Sequence, residues 1–197
     1  MSVAPTLLSR EEQRTLIEIA KAAVLKRSGA GETLPPRTLT PLQQSARGIF
    51  VTLKVNGELR GCIGQVEPQL PLHLAAAELA VAAATRDVRF APITDEDLAK
   101  LSVEISVLTP NVVIRSPDEI EVGVHGIIIS RGRRRGLLLP QVAIEHHLDA
   151  ESFLDATCEK AGLEPDAWQD PMTRIEIFSA QVFTEDAPRI ERQNRAT

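Results

Sequence analysis

Apolar and polar residues alternate strictly over Ser102-Val103-Glu104-Ile105-Ser106-Val107, the pattern of a half-buried strand. Phe50 to Val55 reads the same way. Asn56-Gly57 then supplies the pair of residues that a type I′ hairpin turn favours, and Glu58 to Gly64 is the return strand. A two-residue loop with regular pairing sets Val55 against Glu58, Leu53 against Arg60 and Val51 against Cys62. Arg60 and Cys62 are thus expected on the apolar face of the hairpin. Helical spacing dominates elsewhere. Ser9-Arg10-Glu11-Glu12 is a capping box, and behind it Leu16, Ile19, Ala20, Ala23 and Val24 share one face. Gly29 and Gly31 stop that helix, and Pro35-Pro36 and Pro41 mark an extended connection. Leu72 to Thr85, opened by Pro71, is apolar and Ala-rich on all sides, as a buried helix in close contact with its neighbours would be. A charged loop, Arg86 to Pro92, follows, with a short helical turn at Thr94 to Asp97.

The second half carries its own elements. Ile127-Ile128-Ile129 and Leu137-Leu138-Leu139 flank a basic turn and predict a second hairpin. A helix follows from Pro140 to His147. Another is capped by Asp149, shows Phe153, Leu154, Thr157, Cys158 and Ala161 on one face, and stops at Gly162. Arg174 to Phe178 is strand-like again, and the tail after Glu185 is polar. The strands at 102–108 and 174–178 bracket an autonomous segment. The expected fold is therefore α+β: two lobes with antiparallel sheets and flanking helices. Residues 1–112 begin the large lobe, 113–171 form a small inserted lobe, and 172–197 return as closing strand and tail.

Composition narrows the partners. Hydrophobic residues make up 43% of the 197, enough for a packed core. The formal net charge of −5 and an aromatic content of 3% argue against a nucleic-acid partner. No apolar run approaches the roughly 20 residues needed to span a bilayer, so no membrane association is expected. Two isolated cysteines make no disulfide scaffold, and the chain reads as cytoplasmic with both thiols reduced.

Leu59-Arg60-Gly61-Cys62-Ile63-Gly64 concentrates the chemistry. Flanking glycines let the backbone approach a ligand and leave the thiol accessible. Arg60 favours the thiolate and holds an anion. The plainer reading, and from spacing alone the commoner one, is a structural cysteine with glycines at a bulge. Arg60 on an apolar face needs a partner or a cleft, and Glu104 or Glu176 would serve. Cys158, on its helix stripe, reads as core. His146 and His147 are adjacent and so point apart, which rules them out as a helical metal pair. Nucleotide and metal signatures are missing. Arg131, Arg133, Arg134 and Arg135 read as a solvated hairpin tip, with contact to a phosphate or an acidic partner as the sharper alternative. Arg86 and Arg89 are a weaker case of the same kind, and the alternatives for Arg86 are pairing with Asp87 or capping the preceding helix.

Leu59 to Gly64 resembles the L-R-G-C-I-G signature of the AMME-syndrome candidate-region protein family, whose prokaryotic members are called AmmeMemoRadiSam system protein A. Arg89-Phe90 with Pro92, Val103 to Leu108, His125-Gly126-Ile127 and Arg135 to Val142 are similar to further family segments in the same order. So are the Phe153-Leu154 helix and Ala161-Gly162-Leu163 with Trp168. The resemblance implies a two-lobed α+β fold with the signature facing a cleft between lobes. It implies association with a Memo-like protein and a radical SAM protein, and it names no settled activity and no cofactor. Val88 stands where the family pattern has Pro, and His146-His147 replace a more aromatic segment. The expected site is Cys62 as the reactive group, with Arg60, Gly61, Ile63, Gly64, Arg89 and Glu104 as ligand-binding residues and no metal. The leading expectation is an enzyme or enzyme component acting on a ligand. A non-catalytic adaptor that binds a protein is the alternative.

Overall fold

The computed structural model describes residues 7–27, 29 and 38–185. The expected stop at Gly31, Pro35-Pro36 and the tail after Glu185 lie outside them. In chain order the elements are α1 (Arg10–Arg27), β1 (Ile49–Val55), β2 (Glu58–Gln65), α2 (Leu72–Thr85), α3 (Asp95–Leu98) and β3 (Leu101–Leu108). Then come β4 (Val112–Ile114), β5 (Gly126–Arg131), β6 (Arg134–Leu138), α4 (Pro140–Glu145), α5 (Ala150–Lys160), β7 (Arg174–Phe178) and β8 (Ala180–Thr184). The fold is α+β, with two four-stranded antiparallel sheets ordered β2-β1-β3-β8 and β4-β7-β5-β6.

Two compact units divide these elements, one running from Leu7 to Val107 and resuming at Gln181, the other from Leu108 to Ala180. In the first unit, alternation along β1 and β3 buries Ile49, Val51, Leu53, Val55, Leu101, Val103, Ile105 and Val107 on one face. The helix α2 lies against β1 and β2, and α1 packs on α2. Each fully buried Leu or Ile in this layer contributes about 1.5–3 kcal/mol of transfer free energy. The Ser9 capping box forms as expected, with Ser9 N donating to Glu12 Oε2 at 2.7 Å and Glu12 N to Ser9 Oγ at 3.3 Å. The buried stripe of α1 is Leu16, Ile17, Ala20 and Val24, one position round from the expected face at Ile17. Pro41 opens a turn rather than an extended stretch.

In the second unit, Ile114, Ile127, Ile129, Ile175 and Ile177 share a core with Phe153, Leu154 and Cys158 of α5. Asp149 caps α5 by accepting from Ser152 N at 2.8 Å. This unit is longer at both ends than the 113–171 expected. The cause is the pairing of Val112 with Ile177 and Ile114 with Ile175, which draws β4 and β7 into its sheet. The strand at 174–178, expected to close the larger lobe, instead lies between β4 and β5. The strand that returns to the first sheet is β8, separated from β7 by Ser179 alone.

Candidate functional site

The turn at Asn56-Gly57 is the predicted one, with both residues at positive φ (53° and 82°). Its regular register lasts two pairs, Val55 with Glu58 and Lys54 with Leu59. Leu53 then faces Gly61, because Arg60 is an extra residue on β2: a β-bulge. One inserted residue moves every later side chain to the opposite face. Cys62 therefore opposes Thr52, not Val51, and lies on the polar outer face of the sheet rather than the apolar one. The core face receives Gly61 and Ile63 instead. A Cβ on Gly61 would stand 2.2 Å from the Ala83 carbonyl oxygen, so the close approach this glycine permits is that of α2. Gly64 lies under the Phe50 ring, 2.2 Å from where its own Cβ would be.

Around the half-buried sulfur the charged groups are paired. Thr52 Oγ1 donates to Cys62 Sγ at 3.2 Å. Lys54 Nζ meets Glu104 Oε2 at 2.9 Å on the same face. Arg60 does not meet Glu104 or Glu176. Its Nη1 and Nη2 reach the Asp97 carboxylate at 3.3 and 3.4 Å. Asp97 is the residue whose carboxylate also caps α3 through Thr94, and those Thr94 hydrogen bonds, with Arg60 behind them, hold its pKa below the usual carboxylate range. Glu176 pairs with Arg174 at 3.1 Å in the second sheet.

The loop after α2 supplies what the sequence did not predict. Asp87 pairs with Arg89, while Arg86 takes the other expected role as the C-cap of α2, its N–H donating to the Ala82 carbonyl at 2.7 Å. Arg89 Nε and Nη2 reach the Asp87 carboxylate at 2.9 and 2.7 Å. Asp87 Oδ2 also accepts from the Cys62 backbone N–H at 2.8 Å, and Arg89 Nη2 donates to the Cys62 carbonyl at 3.1 Å. The pair thus grips both main-chain polar groups of Cys62 on β2, the edge strand of the sheet, where they would otherwise face outward unpaired. The Arg89 guanidinium and then the Cys62 N–H hold the Asp87 carboxyl far below the usual carboxylate range. Arg89 is raised in turn, chiefly by Asp87, and the Cys62 thiol is near enough to add to the effect.

Other candidates resolve differently. Cys158 is fully buried, and that burial pushes its thiol pKa up. Arg131 pairs with Asp170 at 2.8 Å, and Arg134 donates to the Gly162 carbonyl at 2.7 Å. Two arginines of the basic turn therefore tie the hairpin tip to the segment after α5. They line an open groove of about 840 Å³ together with Glu164, Asp166 and Asp170. Its walls carry both signs of charge, so it presents no uniform field to a polyanion. Among the described residues no group of three or more His, Cys, Asp and Glu is placed to hold a metal ion, and no helix is long and apolar enough to cross a membrane.

Residues 17–183 match the AMMECR1 family model. The chain belongs to the AMMECR1 family. A protein of Methanothermobacter thermautotrophicus is 49% identical over 94% of this chain and all of its own length. One from Methanopyrus kandleri is 44% identical over 92% of each chain. The crystal structure of an uncharacterised protein from Pyrococcus horikoshii superposes with a TM-score of 0.68 at 39% identity, covering 92% of this chain and 95% of that one.

On this AMMECR1 chain the expected residues divide. Cys62, Arg89 and Glu104 belong to the outer face and edge of the first sheet, whereas Gly61 and Ile63 serve its core face. Arg60 lies at the bulge and is committed to α3. Thr52, Lys54, Asp87 and Asp97 were not predicted. Thr52 and Lys54 were legible as the polar positions of an alternating strand. Only the bulge makes them neighbours of the thiol.

Proposed function

We propose that the outer face of the first sheet at Cys62 is a ligand site, and that this AMMECR1 protein acts there as an enzyme or enzyme component, with the thiol as reacting or contacting group. The observation that carries this reading is the hydrogen bond from Thr52 Oγ1 to Cys62 Sγ at 3.2 Å on a polar sheet face. A core cysteine behaves as a small hydrophobe, and Cys158 in the second unit is fully buried with only a backbone group, that of Trp168, bonded to its sulfur. At Cys62 a hydroxyl orients the sulfur while Asp87 and Arg89 immobilise its main chain. Reactive groups held by packed and hydrogen-bonded supports are the ones that act with precision. Memo-like and radical SAM proteins, the partners implied by the family resemblance, belong to this proposal as the proteins with which the site works.

Alkylation of the folded protein, followed by intact mass and peptide mapping, tests it. Cys62 should react at least about tenfold faster than Cys158, a barrier difference of only about 1.4 kcal/mol. Metabolite profiles of cells lacking the protein should be restored by the wild type and not by Cys62→Ala. A Cys62 that resists alkylation until the protein unfolds removes the nucleophile. Full restoration by Cys62→Ala would favour the adaptor reading.

A further inference from the structure

Arg89 holds more hydrogen-bonding capacity than the clamp uses. A guanidinium carries five N–H donors in a planar fork. Nε and Nη2 serve the Asp87 carboxylate, and Nη2 also serves the Cys62 carbonyl. Nη1 meets no carboxylate or carbonyl among the described residues, the Cys62 thiol is the guanidinium's one further hydrogen-bonding side-chain neighbour there, and the side chain is 56% exposed. Its orientation is nevertheless fixed. Asp87, only 5% exposed, anchors it from behind, and the Phe90 ring centre lies 5.3 Å from its Cζ. Other cations of this face are spent differently: Arg60 turns both terminal nitrogens to Asp97, and Lys54 meets Glu104.

From this we infer that Arg89 selects the charge of the ligand that reaches Cys62, receiving an anionic group, a carboxylate or a phosphate, on its open Nη1 edge. Asp87 is its positioning residue. The inference rests on the reading of Cys62 as a ligand-contacting thiol and adds the ligand's chemical class. A planar guanidinium already oriented by a carboxylate loses little freedom on binding a second anion. The same Arg89 nitrogen that touches the Cys62 carbonyl belongs to the fork that would hold the ligand, so the anionic group is brought beside the residue that carries the thiol.

Two alkylating reagents of similar size and different charge test this, iodoacetate and iodoacetamide, with rates read at Cys62 and Cys158 separately. In Arg89→Met the iodoacetate-to-iodoacetamide ratio at Cys62 should fall about tenfold, the scale of one charge-assisted hydrogen bond. Arg89→Lys should recover most of that ratio. A clamp that merely held structure would change both rates together, so an unchanged ratio in Arg89→Met with Cys62 still reactive overturns the inference. If Cys62 does not react in the folded wild type, the thiol reading falls, and titration with inorganic phosphate decides about Arg89. Shifts of the Gly61 to Gly64 backbone amides in the wild type, lost in Arg89→Met, uphold the anion site. No shift in the wild type ends it.

Discussion

Thr52 and Cys62 stand opposite each other across the β1–β2 pair, with the threonine hydroxyl donating to the sulfur at 3.2 Å. The hydroxyl stabilises negative charge on sulfur as it develops. Thr52→Val keeps the shape and removes the donor. Cys62 alkylation should slow by about two- to thirteenfold, the range of a hydrogen bond contributing about 0.5–1.5 kcal/mol. Iodoacetamide kinetics at fixed pH measure it, with the Cys158 rate as the control for folding.

Gly61 faces Ala83, and an added methyl would stand 2.2 Å from that backbone oxygen. A backbone carbonyl held in the last turn of a packed helix has little room to swing aside. Gly61→Ala should therefore destabilise the first unit by about 1–3 kcal/mol. That corresponds to a drop in Tm of roughly 2–4 °C per kcal/mol for a chain of this size. Thermal unfolding followed by circular dichroism reads it directly, and an unchanged Tm would mean that α2 is not seated on β2 as described.

Asp87 gives the first unit an acid limb. Its carboxyl is held below the usual range by Arg89 and the Cys62 N–H. A group with a depressed native pKa contributes stability above its unfolded value, about 3.9 for Asp, and that contribution fades as pH falls below it toward the native value. The wild type should thus lose stability below about pH 4 more steeply than Asp87→Asn. Urea unfolding midpoints between neutral pH and pH 3 compare the two, and parallel curves would refute the linkage.

The two cysteines should respond oppositely to serine. Cys158 is fully buried beside Phe153 and Leu154, so Cys158→Ser places a hydroxyl in an apolar core at a cost of about 1–3 kcal/mol. Cys62 lies on a polar face beside a hydroxyl, and Cys62→Ser should shift stability by no more than about 0.5 kcal/mol. Chemical denaturation of both variants measures the difference.

What could be read from the sequence followed local rules. The α5 stripe, its Asp149 cap and the Asn56-Gly57 turn all depend on residues within a few positions, and all are present. The bulge at Arg60 is different. The flanking glycines admitted a bulge, but its place at Arg60 goes with the seating of Gly61 under Ala83, a contact 22 residues away in the chain. One unforeseen residue was enough to carry Cys62 from one face to the other. The strand β8 was not foreseen, because only Ser179 parts it from β7. Their assignment to different sheets is decided by partners β4, β5 and β3. Asp87 could be seen as a charge. That it would answer the backbone of Cys62 could not, because the spacing between them says nothing about an edge strand left open.

Thr109 N donates to the Ser179 carbonyl at 2.8 Å, and Ser179 N to Thr109 Oγ1 at 2.9 Å. The chain therefore leaves the first sheet at the end of β3 and rejoins it at β8, its neighbour in that sheet, through two residues that touch. Everything between them belongs to the second unit, and its two ends meet. Joining Leu108 to Ala180 by a short turn would therefore excise this segment without reordering any strand of the sheet left behind. The excised piece could likewise be closed into a ring by a linker of a few residues, since a loop that short costs little to close.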